Sequence, residues 1–167
     1  MRRRLMFSFG KQKLVKKPYE ELLESALFDE LSFYQTFLQD LQNCEKEVVI
    51  ESPFITYKRA KMFDRIFENL LEKGVTIYIV TRDPREHDEN LEVQSEEAIQ
   101  YFESMGVQVL ICAGNHHRKL AILDRKILWE GSLNIMSQTR SREIMRRINS
   151  RVMALEMFNF LKLERFL

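Results

Sequence analysis

The chain of 167 residues is 45% hydrophobic and 31% charged, which suits a single domain with a buried core and excludes general disorder. Five Gly and three Pro exclude a collagen-like or linker-dominated sequence, and no apolar run approaches the roughly 18 residues of a membrane span. The net charge of +1 conceals an uneven distribution: residues 1–17 carry seven basic and no acidic groups, 18–114 carry 8 against 20, and 115–151 carry 9 against 3. Two basic blocks around an acidic middle suit a polyanionic partner, although solvated faces on a neutral protein would look the same. The organisation expected is a basic arm over 1–18 followed by one domain over 19–167.

Met1-Arg2-Arg3-Arg4 and the apolar Leu5 to Phe9 open like a signal peptide, but Gly10-Lys11-Gln12-Lys13 ends that stretch too early, so a cytoplasmic location is expected. Tyr19–Phe28 (Leu22, Leu23, Ala26, Leu27) and Leu31–Leu41 (Leu31, Tyr34, Phe37, Leu38, Leu41) place apolar residues at helical spacing and predict two helices. The β-branched run Glu47–Ser52, stopped by Pro53, predicts a strand. Lys58–Glu72 predicts a helix ended by Gly74, and the continuous apolar Val75–Thr81 a strand covered on both faces. The polar loop from Arg82 to Asn90 follows the C-terminal end of that strand, where α/β proteins place their sites, and reads either as a plain charged loop or as a border of the substrate groove. A helix over Val93–Met105 and a strand over Val107–Cys112 come next. Lys119–Leu123 and Ile127–Trp129 read as a hairpin around Asp124-Arg125-Lys126, with Trp129 in the core, and Arg151–Leu163 as a closing amphipathic helix. The order ααβαβαβββα, without an internal repeat, predicts a three-layer α/β domain with a mixed sheet. The two cysteines, Cys44 and Cys112, read as buried free thiols.

Chemistry concentrates between 117 and 143. His117 and Lys119 are two residues apart, Asp124 follows five after Lys119, and Gly131-Ser132 and Asn134 complete a fixed spacing. Six specified positions recur by accident on the order of once in 10⁶ sequences of this length. Alternation along an extended chain puts an imidazole and an ammonium on one side, so both can converge on one phosphate. A neutral imidazole can attack phosphorus while Lys119 and the Asn134 amide stabilise the oxygens that gain charge. Gly131 and Ser132 allow close backbone approach, and the Ser132 hydroxyl adds a donor. Asp124 falls on the other side by alternation and takes a structural role, in the turn or in an ion pair with a nearby Arg. No metal or other cofactor is needed. A zinc site from Cys112, His116 and His117 is disfavoured because adjacent histidines diverge and no further ligands complete the set.

These residues resemble the HKD motif of the phospholipase D superfamily, H-x-K-x4-D followed by G-[GS]-x-N, and Glu143 resembles its downstream acidic residue. The resemblance implies an α/β/α phospholipase D-like domain with a mixed β-sheet. Only one copy of the motif is present, since His87 lacks the H-x-K context. The single-copy members are mainly nucleases that build one site from a homodimer, and the Gly131–Asn134 and Arg142–Arg146 stretches look closest to modules found with DNA helicases and restriction systems. The reading is therefore a metal-independent DNA phosphodiesterase acting through a phosphohistidine, as a homodimer, with a helicase or restriction-system partner and no membrane partner. His117, Lys119, Ser132, Asn134 and Glu143 are the expected catalytic set, Glu143 serving as partner of a His117 ring nitrogen. Arg118, Arg140, Arg142, Arg146 and Arg147 are the expected DNA-binding set, and the apolar excess after Val152 suits a dimer surface. The alternatives are a phospholipase or phosphatidyl transferase of the same superfamily, and a non-catalytic DNA-binding module.

Overall fold

The computed structural model describes residues 4–5, 24–137 and 141–165. Eight strands form one sheet: β1 (Arg4–Leu5), β2 (Ser25–Asp29), β3 (Glu47–Glu51), β4 (Thr76–Arg82), β5 (Gln108–Cys112), β6 (Leu120–Leu123), β7 (Ile127–Gly131) and β8 (Ile144–Asn149). Their spatial order is β1-β5-β4-β3-β6-β7-β8-β2. The first four in that order run parallel, and β3 to β6 and all later pairs are antiparallel. The sheet is mixed, as expected, and its change of direction falls between β3 and β6.

On one face lie α1 (Phe33–Gln42), α2 (Tyr57–Ala60), α3 (Asp64–Glu72) and α4 (Glu89–Met105), whose Phe33, Phe37, Phe63, Phe67 and Phe102 bury against Val48, Ile50, Ile77 and Trp129. Trp129 is fully buried, edge-on to Phe33 and Phe37, with its indole N–H donated to Asp40 of α1 at 2.9 Å. The other face is covered by α5 (Arg151–Phe160) and a 3₁₀ turn at Leu163–Arg165, which bury Leu120, Ile122, Leu128 and Ile148 beneath Phe158 and Leu161. Among the described residues no helix is long and apolar enough to cross a membrane. Cys44 and Cys112 are buried free thiols, both pushed up to about 12 by burial.

Three segments differ from expectation. Residues 25–29, read as the end of a helix, are the edge strand β2, paired antiparallel with β8; Tyr19–Leu23 of that expected helix lie outside the described residues. Being mostly exposed on both sides, β2 carries no alternation that would reveal it. Lys58–Glu72 divides into α2 and α3 because Phe63 turns fully into the core between them. Residues 144–149, to which the expected order assigns no element, form β8. Of the expected basic arm, Arg4–Leu5 is β1 at the sheet edge beside β5, and the rest lies outside the described residues.

Candidate active site

His117 and Lys119 lie on the extended segment that enters β6, beside the C-terminal ends of the parallel strands β3, β4 and β5, where the sheet changes direction. A crevice opens there, lined in part by both side chains. Two acidic side chains hold the segment. Glu86, on the loop after β4, accepts the N–H groups of Gly114 and Asn115 at 2.7 and 3.0 Å and pairs with Arg82 at 3.0 Å. These bonds hold its carboxyl below the usual range. Glu51, the last residue of β3, is fully buried and accepts Arg118 Nε and Nη2 at 2.7 and 3.3 Å, with His116 Nε2 at 3.5 Å. The loop after β4 thus borders the site, as its position at a strand end suggested. Glu51 gave no signal in the sequence, because its partners lie 67 residues away.

The reactive pair is close. Lys119 Nζ lies 2.9 Å from His117 Nδ1 and donates to the His117 carbonyl at 2.9 Å. The His117 imidazole is shifted below its ordinary value by desolvation, then by the charges of Lys119 and Arg82, so the ring is neutral at neutral pH. Phe54 packs edge-on against it at 6.0 Å and against His87 at 4.9 Å. Burial lowers the Lys119 ammonium, opposed by the charge of Glu143.

Gly131 ends β7, and Ser132 and Asn134 follow it. A side chain at Gly131 would put its Cβ 2.1 Å from the Ile144 carbonyl, so the close approach this glycine permits is to β8 rather than to a ligand. Ser132 accepts the Ile144 N–H on its hydroxyl at 3.1 Å. Met136 N–H donates to the buried Ser52 hydroxyl at 3.1 Å, and Thr56 N–H to the Met136 carbonyl at 2.9 Å. These bonds fasten the segment carrying Asn134 to the end of β3, near His117. The buried Asn134 Oδ1 has no hydrogen-bond partner among the described residues. Glu143 is held by the Ser132 and Ser141 hydroxyls, which lower its pKa, and within the chain it faces Lys119 rather than a His117 nitrogen.

Asp124 is structural in a way spacing did not reveal: its carboxylate accepts the N–H groups of Glu45, Lys46 and Glu47 at 2.9, 2.8 and 3.0 Å, and the ion pair in this turn belongs to Arg125 and Glu47. The expected DNA-binding arginines divide. Arg146 lines a cavity of about 520 Å³ together with His117, Lys119, Glu130, Ile144 and Phe160. Arg142 is exposed, and Arg140 lies outside the described residues. Arg147 must be corrected: it faces the opposite side of the sheet and binds Asp40 with two bonds, at 2.7 and 2.9 Å. Arg118 lines the same cavity as Arg146, with its guanidinium bound to Glu51.

A cation and a neutral imidazole at a crevice on a mixed α/β sheet, with a serine, an amide and a carboxylate on the following connections, are groups of the kind that attack on a phosphodiester uses. The chain belongs to the phospholipase D superfamily: the family model described as cardiolipin synthase, PLD-like domain matches residues 37–162. By that membership it is a phosphodiesterase of the superfamily. The fold is similar to that of Nuc from Salmonella typhimurium, a phospholipase D family member, at a TM-score of 0.64 and 19% identity over 83% of this chain and 93% of Nuc. NucT from Helicobacter pylori gives 0.63 and 17% over 83% and 92%, and phosphatidylserine synthase from Haemophilus influenzae 0.60 and 12% over 81% and 37%. A sequence search of curated proteins matched none.

Proposed function

We propose that this chain is a metal-independent nuclease that cleaves DNA through a phosphohistidine, at a site shared between two copies. The observation that supports the reading is the 2.9 Å approach of Lys119 Nζ to His117 Nδ1, which suits a cation and a neutral nucleophile acting on one phosphate. A His117 nitrogen attacks phosphorus, the P–N bond forms, and the bond to the leaving oxygen breaks as His117 of the second copy, which takes up a proton from solvent when the phosphate's negative charge binds beside it, donates that proton. That second imidazole then takes a proton from water, whose oxygen attacks phosphorus and releases the first His117. Attack through Nε2 requires the ring proton on Nδ1. Lys119 therefore leaves Nδ1 for the phosphate oxygens, and a carboxylate, Glu143 of the second copy, takes its place. Asn134 donates its amide hydrogen to the same oxygens. The basic block around the motif and Arg146 in the cavity supply the attraction for a polyanion.

A lipid substrate is the second reading, favoured by Leu27, Ile144 and Phe160, about 60% exposed beside the site. The deciding experiment incubates the protein with labelled single- and double-stranded DNA and with phospholipid vesicles, with and without EDTA. DNA cleavage that survives chelation, with an acid-labile ³²P adduct lost in His117→Ala, is the expected result. Loss of cleavage on chelation with restoration by Mg²⁺ overturns the mechanism. Hydrolysis of lipid alone transfers the site to the second reading.

A further inference from the structure

Residues 113–119 carry no regular secondary structure, yet the chemistry needs His117 and Lys119 on one side of this segment. An extended chain alternates its side chains, so the roll of the segment is set by what the intervening residues grip. Here Arg118 grips Glu51 with two hydrogen bonds, and His116 Nε2 lies 3.5 Å from the same carboxylate. That carboxylate is 0% exposed at the end of β3, and Leu120, the first residue of β6, lies opposite it in register. Packing does not require a charge there, and an ion pair so deeply buried is seldom more stable than an apolar residue of the same size. Burial pushes the Glu51 carboxyl up to about 7 against the pull of Arg118, so the pair is maintained at a cost. The Arg118 side chain, 33% exposed, could reach water if Glu51 did not hold it.

We propose that Glu51 is a positioning residue: through Arg118 it fixes the roll of the 116–119 segment, so that His117 and Lys119 address the same phosphate. The proposal rests on the reading of that pair as the reacting groups. Glu86 tethers the same segment further back, at Gly114 and Asn115, so loss of Glu51 frees only the stretch that carries the chemistry.

The test follows the three histidines by NMR during pH titration in the full chain, with His87→Gln and His116→Gln spectra for assignment. In the wild type His117 titrates below its ordinary 6.5, with Lys119 and Arg82 as the charges facing it. Removing the Glu51 anion would by simple electrostatics lower the His117 midpoint further. A roll that separates Lys119 from Nδ1 raises it toward 6.5, so the sign separates the two effects. The expected result for Glu51→Gln is an upward move, with kcat on a phosphodiester falling about 10- to 100-fold and KM little changed. Arg118→Met reproduces the kcat loss, and Arg118→Lys, which can still give Glu51 one bond, recovers part of it. Phe102→Leu, a core change in α4, controls for lost stability and leaves the His117 midpoint in place. An unmoved or lowered midpoint in Glu51→Gln, or full kcat in Arg118→Met should the first variant not fold, overturns the proposal. An upward midpoint in a protein that cleaves no DNA sustains the positioning role and removes the nuclease reading instead.

Discussion

Replacing Asp124 by alanine separates the architecture of the motif from its chemistry. One carboxylate oxygen accepts Lys46 and Glu47 N–H at 2.8 and 3.0 Å, and the other accepts Glu45 N–H at 2.9 Å. Bonds to a charged acceptor contribute about 1.5–3 kcal/mol each when shielded, but water can replace those at the exposed Glu45 and Lys46, so about 3 kcal/mol is expected for the three together. Asp124 also sits at a φ of 50°, where alanine costs about 1 kcal/mol more than a residue suited to the left-handed region. At roughly 2–4 °C per kcal/mol for a chain of this size, Asp124→Ala should lower Tm by about 8–16 °C. Asp124→Gly avoids the conformational cost and should fall less, and Asp124→Asn, which keeps one acceptor oxygen, least. Circular dichroism melts at pH 7 measure this, alongside phosphodiester cleavage well below every melting point. A Tm loss under about 2 °C would refute the stabilising role. A kcat loss beyond about tenfold in folded protein would place Asp124 in the reaction.

Mixing wild-type and His117→Ala chains under conditions of subunit exchange should give activity proportional to the square of the wild-type fraction, and a straight line would refute a shared site. Arg146→Ala should weaken DNA binding and flatten its salt dependence, measured by fluorescence anisotropy, whereas Arg147→Ala should lower Tm and leave the salt slope unchanged; exchange of the two signatures would refute the sheet-face assignment. Because attack needs neutral His117 and its pKa is lowered, the acid limb of kcat/KM should lie below 6.5, and a limb above that value would contradict the desolvated, Lys119-flanked ring.

The motif and most of β3 to β7 were legible in the sequence because the cues are local: fixed spacing for the site, continuous apolar runs for buried strands, and glycine at the end of α4. What escaped depends on partners far along the chain. The Arg147 guanidinium looks like its neighbour Arg146 until Asp40, 107 residues earlier, is brought beneath it. The role of Asp124 depends on backbone groups 77–79 residues back. Leu22, Leu23, Ala26 and Leu27 satisfy a helical spacing, and what overrides it in 25–29 is pairing with β8 and the packing of Phe28 on Trp129. Glu143 was legible as a site residue, but its immediate partners, Ser132 and Ser141, were not.

The sheet order also bears on how the molecule assembles. The β6–β7–β8 meander closes through connections over 124–126 and 132–143, Leu120 pairing with Glu130 and Gly131 with Met145, so these strands can zip before the outer strand at modest entropic cost. The outer strand arrives over a far longer loop, the Arg146 to Ser25 bond alone spanning 121 residues. Until it docks, β8 presents an open ladder of backbone donors and acceptors to any other chain, guarded mainly by its two arginines. A chain truncated to lack 25–29 should therefore acquire the site-bearing meander yet aggregate through that edge, so solubility would be lost before catalytic geometry.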